Sequence, residues 1–113
     1  MKYDLTGKHL EVTPALRAHV ETQLDRAEGA FDGKPATAHV VIEVERGRNR
    51  AEVVINWRND VIKAETIDGD MYNAISMTVD KVEKQARKLK EKIVDKSHRA
   101  VKVTTLGTDD EVS

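Results

Sequence analysis

The chain has 113 residues, of which 35% are Asp, Glu, Lys or Arg, with no cysteine and a formal net charge of −1. That length predicts a single domain with a modest core of its own, and the absence of cysteine excludes disulfides, thiol catalysis and cysteine-ligated zinc. There is no run of ~18 apolar residues for a membrane span and no apolar leader region after Met1, so the expected compartment is the cytoplasm, with no membrane partner.

In chain order, Lys2 to Thr6 alternates polar residues with Tyr3 and Leu5 and reaches Gly7, which predicts a short first strand. Thr13-Pro14 is a helix start, Thr13 serving as N-cap and Pro14 standing at the first helical position, where its missing N–H is harmless. Leu16, Val20, Leu24 and Ala27 then keep helical spacing up to Gly29, the expected stop. His19 and Arg26 fall on one flank of that stripe. Glu21, Asp25 and Glu28 fall on the other, and Arg17, which shares the acidic flank, is expected to pair with Glu21.

Phe31 to Pro35 is turn-rich, and beyond it the period becomes two. Ala38, Val40, Ile42 and Val44 alternate with His39, Val41, Glu43 and Glu45, the pattern of a strand with one face on the core. Arg46 to Arg50 is read as a hairpin loop, Ala51 to Arg58 as the next strand, Asn59-Asp60 as a tight turn, and Val61 to Ile67 as the last strand of a meander. Trp57 is expected in the core or at its edge, and His39 in solvent. Asp68-Gly69-Asp70 then closes the sheet and caps a long helix.

That helix runs from Asp70 to about Lys102. Met71, Ile75, Thr78, Val79, Val82, Ala86, Leu89 and Ile93 fall on one face at ~100° per residue, the face of a core stripe. Lys81, Lys84, Lys88, Lys92 and Arg99 form a cationic rail beside it, while Asp80, Glu83 and Glu91 lie farther round. Solvated helix faces often carry charge, and Asp80 with Lys84, Glu83 with Arg87 and Asp95 with Arg99 have the i,i+4 order of weak supporting pairs. Lys81, Lys88 and Lys92 have no acid four residues before them, and aligned cations repel unless something anionic neutralises them.

The near-neutral total conceals this segregation. Residues 1–80 hold 10 basic and 14 acidic side chains, residues 81–102 hold 9 and 3, and residues 103–113 hold 0 and 3. A local cationic field of that kind steers a polyanion.

The predicted order is strand, helix, three strands, helix. Two amphipathic helices covering one face of a four-stranded, mainly antiparallel sheet make an α+β, two-layer β-α-β-β-β-α domain. Its last four elements follow the order of part of a double-stranded-RNA-binding domain. The expected domain spans residues 1–100, with 101–113 as a disordered acidic tail or the start of a linker.

Leu5-Thr6-Gly7-Lys8, Leu10-Glu11-Val12-Thr13-Pro14-Ala15-Leu16-Arg17, Leu24-Asp25-Arg26-Ala27-Glu28 and above all Asp70-Met71-Tyr72-Asn73-Ala74-Ile75 with Asp80-Lys81-Val82-Glu83-Lys84-Gln85 carry a resemblance. Over about residues 1–99 the chain resembles the bacterial ribosome hibernation promoting factor and ribosome-associated translation inhibitor family. The resemblance implies a non-catalytic RNA-binding protein that lodges in the small ribosomal subunit. There it would cover the sites of transfer and messenger RNA, competing with both, and silence idle ribosomes in stationary phase or stress. It also implies ribosomal RNA contacts by Lys81, Lys84, Lys88 and Lys92, with Arg26 on the first helix, and a less regular role for Lys90. The family includes short members, members with an acidic tail and long members with a separate dimerisation domain. The end of this chain resembles the tailed class or the start of a long member's linker.

Other classes fit less of the sequence. A general structured-RNA-binding or RNA chaperone module would need the same rail without ribosome preference. An interaction domain using the open sheet face would have Val41 and Val54 as its apolar anchors. An enzyme would need a nucleophile–base pair, a Gly-rich phosphate loop or a metal cluster, and the sequence shows none. His9, His19, His39 and His98 have no metal-ligand spacing, and neither a cofactor nor a small-molecule substrate is expected.

Overall fold

The computed structural model describes residues 1–31 and 35–98, with side-chain detail through Lys90. The elements are β1 (Lys2–Lys8), α1 (Pro14–Ala27), a 3-10 turn (Glu28–Phe31), β2 (Ala36–Glu45), β3 (Arg48–Trp57), β4 (Asp60–Asp68) and α2 (Met71–His98). The strands lie in sequence order in one sheet, β1 parallel to β2 and the other pairs antiparallel. This is the expected α+β arrangement. The parallel β1–β2 pair follows from α1, whose crossover returns the chain in the same direction.

Period-two alternation places Ala38, Val40, Ile42, Ala51, Val53, Ile55, Trp57, Ile62 and Ala64 on one sheet face, where all are buried. Onto them α1 lowers Leu16, Val20 and Leu24, and α2 lowers Met71, Ala74, Ile75, Val79, Val82 and Ala86. Thr78 sits in the same stripe with its hydroxyl satisfied, donating within α2 to the Ala74 carbonyl at 2.7 Å. Trp57 is a core residue. Its Nε1 donates to the Phe31 carbonyl at 3.1 Å, and its ring meets that of Phe31 edge-on at 5.0 Å.

Both helix starts form as expected. The Thr13 hydroxyl accepts from the Leu16 amide at 3.1 Å, a cap worth ~1 kcal/mol. Asp70 caps α2, its Oδ1 accepting from the Tyr72 amide at 3.3 Å. Asp68 supports the same turn, its carboxylate accepting from the Asp70 amide at 3.0 Å and from Asn73 Nδ2 at 3.2 Å. Those bonds hold its carboxyl below the ordinary carboxylate range.

Three local expectations change. The turn expected at Asn59-Asp60 falls at Arg58 and Asn59, because Trp57 and Asp60 pair as the last residues of the β3–β4 ladder. Gly29 does not stop the chain, since α1 passes into the 3-10 turn, which carries Ala30 and Phe31 into the core. The loop expected over Arg46 to Arg50 shrinks to Arg46 and Gly47, with left-handed φ of 52° and 77°, and Arg48 to Arg50 belong to β3. Such a two-residue turn matches the twist of the paired strands, so the ladder continues to Glu45 opposite Arg48. Residues 99–113, including Arg99 and the expected tail, lie outside the described residues.

Candidate nucleic-acid interface

α2 is fixed from below by its buried stripe, so the charges on its flanks have defined positions. The flank above β4 is tied to the sheet edge. Lys81 Nζ donates to the Glu65 carbonyl at 2.9 Å, and Gln85 Nε2 donates to the Lys63 carbonyl at 3.0 Å. These outward carbonyls of β4 have no neighbouring strand, and the two side chains cover them. Along this flank Lys84 and Lys88 are exposed and have no hydrogen-bond or ion-pair partner among the described residues.

The other flank faces α1 and is largely neutralised. Arg26 reaches across to Asp80 at 2.9 Å and lies 3.8 Å from Glu83, and Arg87 pairs with Glu83 at 2.8 Å. Asp80, spaced for Lys84, is engaged by Arg26 instead. That leaves the Lys84 ammonium available, a consequence of helix packing that spacing along α2 does not reveal. His19 lies deeper between the helices, with Nε2 3.0 Å from the Tyr72 carbonyl and 2.9 Å from the Ser76 hydroxyl.

The candidate residues therefore fall into distinct settings. Lys84 and Lys88 are open, Lys81 is exposed with its ammonium hydrogen-bonded to the strand edge, and Arg26 is ion-paired across the helix interface. Lys90 is half-buried. The side chain of Lys92 lies outside the described residues. Lys63 stands in the outward register of β4, on the sheet face away from the helices, and pairs there with Glu52 at 3.2 Å, so it does not extend the flank.

The opposite sheet face is largely covered by charge pairs. Arg50, near the hairpin end of β3, meets Glu43 at 3.0 Å, Glu65 at 3.1 Å and Glu52 at 3.5 Å, and His39 lies 2.7 Å from Asp4. The hydrogen bond that Arg50 donates to Glu43 leads the contacts that raise the Arg50 pKa, so the guanidinium stays charged though half-buried. Apolar exposure on this face comes chiefly from Val61 and Ile67, 66% and 53% exposed, and not from the expected Val41 and Val54, which are half-buried. No group of three or more metal-ligating side chains occurs among the described residues, and none of the described helices is long and apolar enough to cross a membrane.

A four-stranded mixed sheet with two helices on one face, one of them carrying an open cationic flank, defines the class of α+β domain. The chain belongs to the family described as Sigma 54 modulation protein / S30EA ribosomal protein, whose model matches residues 3–94. It is 33% identical to a ribosome hibernation promotion factor of Lactococcus lactis, an alignment that takes in all of this chain and 66% of that protein. A ribosome hibernation promoting factor of Pseudomonas putida is 35% identical over 81% of this chain and 89% of its own length. Among solved structures, the N-terminal domain of Thermus thermophilus Protein Y superposes with a TM-score of 0.75 at 31% identity, covering 79% of this chain and 99% of that one. The chain thus spans just under two thirds of the Lactococcus relative and most of the shorter proteins.

Proposed function

We propose that this chain is a ribosome-binding hibernation factor, non-enzymatic and cytoplasmic, that occupies the transfer-RNA and messenger-RNA region of the small subunit and keeps idle ribosomes inactive. The observation that carries the reading is the pair Lys84 and Lys88, exposed and without a partner among the described residues, on a helix whose opposite face is locked in the core. Family membership and the names of the relatives supply the partner, the ribosome.

The chemistry supports this assignment. Lysine ammonium groups are compact point charges suited to phosphate oxygens, and a row of them fixes position on RNA without reading bases. Selection then rests on shape. A rigid cationic flank seated on ribosomal RNA would exclude transfer RNA by occupying its place. Lys81 and Lys92 extend the row, Lys81 by exchanging its carbonyl partner for a phosphate. Lys90 and Arg26 contribute at its margins, Arg26 by leaving its pair with Asp80 for a phosphate.

Co-sedimentation with bacterial small subunits across a salt series, with transfer RNA as competitor, tests the reading. Saturable binding displaced by transfer RNA is expected. If about five phosphates are neutralised, the slope of log affinity against log salt is roughly −3 to −5. Equal binding to any structured RNA would favour a general RNA-binding module, and absence of binding at low salt would overturn the reading.

A further inference from the structure

The β2–β3 hairpin presents a second cationic group that α2 does not explain. Among arginines with described side chains, Arg26, Arg50, Arg58 and Arg87 each engage a carboxylate, and Arg17 lies within hydrogen-bonding reach of the Tyr3 hydroxyl. Arg46 and Arg48, at the hairpin tip, are exposed and engage none among the described residues. Arg48 stands opposite Glu45 in the strand register, yet the two close no ion pair. Lys8, exposed at the end of β1, stands opposite Glu43, whose carboxylate is already taken by Arg50.

The backbone at the tip points the same way. Arg46 occupies the first central position of the turn with φ of 52°, where Asn, Asp or Gly is strongly favoured. A long cationic side chain has no steric reason to be there, and strain at an exposed tip is where function is to be sought. A shallow groove of about 190 Å³ opens beside it, lined by Glu43, Glu45, Arg46, Arg48, Arg50 and Ile67. Among the described residues, Glu45 is the lining acid without a basic partner, against two guanidinium groups that engage no carboxylate.

We infer that the hairpin tip is a second RNA-backbone contact, with Arg46 and Arg48 each taking a phosphate and Lys8 adding to the local field. This deepens the ribosome reading and rests on it. The guanidinium fork matches phosphate geometry, and a two-residue turn holds both forks on a rigid, protruding support. The tip lies at the end of the sheet where α2 begins, as the bond from Asn49 Nδ2 to the Gly69 carbonyl at 2.9 Å shows. Lys84 and Lys88 lie 13 and 17 residues beyond Met71, about 20 and 26 Å along the helix axis. One phosphate cannot serve both groups. The domain would therefore bridge two separated stretches of RNA backbone, which selects for folded RNA of matching shape.

The test uses the full chain, small subunits and a double variant, Arg46→Asn with Arg48→Gln, beside Lys2→Gln as a charge-loss control at the other end of β1. Asn is the residue the turn prefers, so the double variant should melt no lower than the parent. With two phosphate contacts gone, affinity should fall roughly 10–30-fold at ~0.15 M salt and the salt slope should become shallower by about 1.5, while Lys2→Gln changes little. Unchanged affinity and slope in the double variant, with the parent binding, would overturn this inference and leave the α2 reading standing. Weaker binding at an unchanged slope would also overturn it, by pointing to a ribosomal protein in place of phosphate. Failure of the parent chain to bind would instead remove the ribosome reading on which the inference rests.

Discussion

Lys81 Nζ lies 2.9 Å from the Glu65 carbonyl oxygen, so the cationic flank of α2 is fastened to the open edge of the sheet as well as seated on its core. The bond is exposed, and water can replace it. Lys81→Ala is expected to lower stability by less than about 1 kcal/mol in urea unfolding. It should weaken ribosome binding less than Lys84→Ala does, because Lys81 must surrender a partner to reach a phosphate and Lys84 has none to surrender. A salt-series comparison of the two variants measures the difference.

Arg26 and Asp80 link the two helices, but both side chains are about half exposed, 49% and 51%, so the pair adds little to stability. Its interest is in binding. Asp80→Asn removes the shorter of the two carboxylate contacts of the guanidinium, leaving Glu83 at 3.8 Å, and takes a negative charge away from beside the flank. The expected result is ribosome binding tighter by roughly two- to fivefold, about 0.4–1 kcal/mol. Weaker binding would mean that Arg26 acts through the position Asp80 gives it.

Trp57→Phe tests the tie between the sheet and the end of α1. The substitution leaves the Phe31 carbonyl without its buried donor and opens space beside the Phe31 ring. A loss of about 1–3 kcal/mol in urea unfolding is expected, with binding per folded molecule unchanged.

Asp68 gives a pH prediction. Its carboxyl titrates below its ordinary 3.8, chiefly because the Asp70 amide, and then Asn73, donate to the ionised form. A depressed folded-state value means the stabilisation is complete above the unfolded value and is lost as pH falls through the lower folded one. Asp68→Asn should therefore flatten the acid limb of stability, with the two proteins converging once pH has fallen through the depressed folded-state value, measured by thermal melts from about pH 5 downward.

Gly7 sits where a methyl group has no room. A Cβ there would lie 2.8 Å from Val12 Cγ2 and 3.1 Å from the Leu10 carbonyl oxygen. Gly7→Ala should destabilise by about 1–3 kcal/mol in the same unfolding assay.

What could be read from the sequence was what local spacing encodes. The apolar stripe of α2, the Thr13-Pro14 start and the alternation through Ala38 to Val44 each depend on residues close in the chain, and each forms. The unread features depend on residues brought together by the fold. Asp80 is four residues from Lys84 yet pairs with Arg26, 54 positions away. Arg50, taken for a loop residue, gathers acids from β2, β3 and β4. The turn at Arg46 was obscured because a run of polar, basic residues reads as a loop, whereas strand pairing rescues all but two of them. The exposure of Val61 and Ile67 was legible in the alternation of β4 but was overlooked beside Val41 and Val54.

The central claim is that Lys84 and Lys88 deliver the domain to ribosomal RNA. The most direct measurement is co-sedimentation of Lys84→Glu with Lys88→Glu, beside the parent chain, on bacterial small subunits at ~0.15 M salt, with circular dichroism to verify the fold. Both side chains are exposed and have no partner among the described residues, so the variant should fold as the parent does. The account predicts that saturable, transfer-RNA-displaceable binding disappears. A folded variant that still binds with the parent's affinity and salt slope would contradict it.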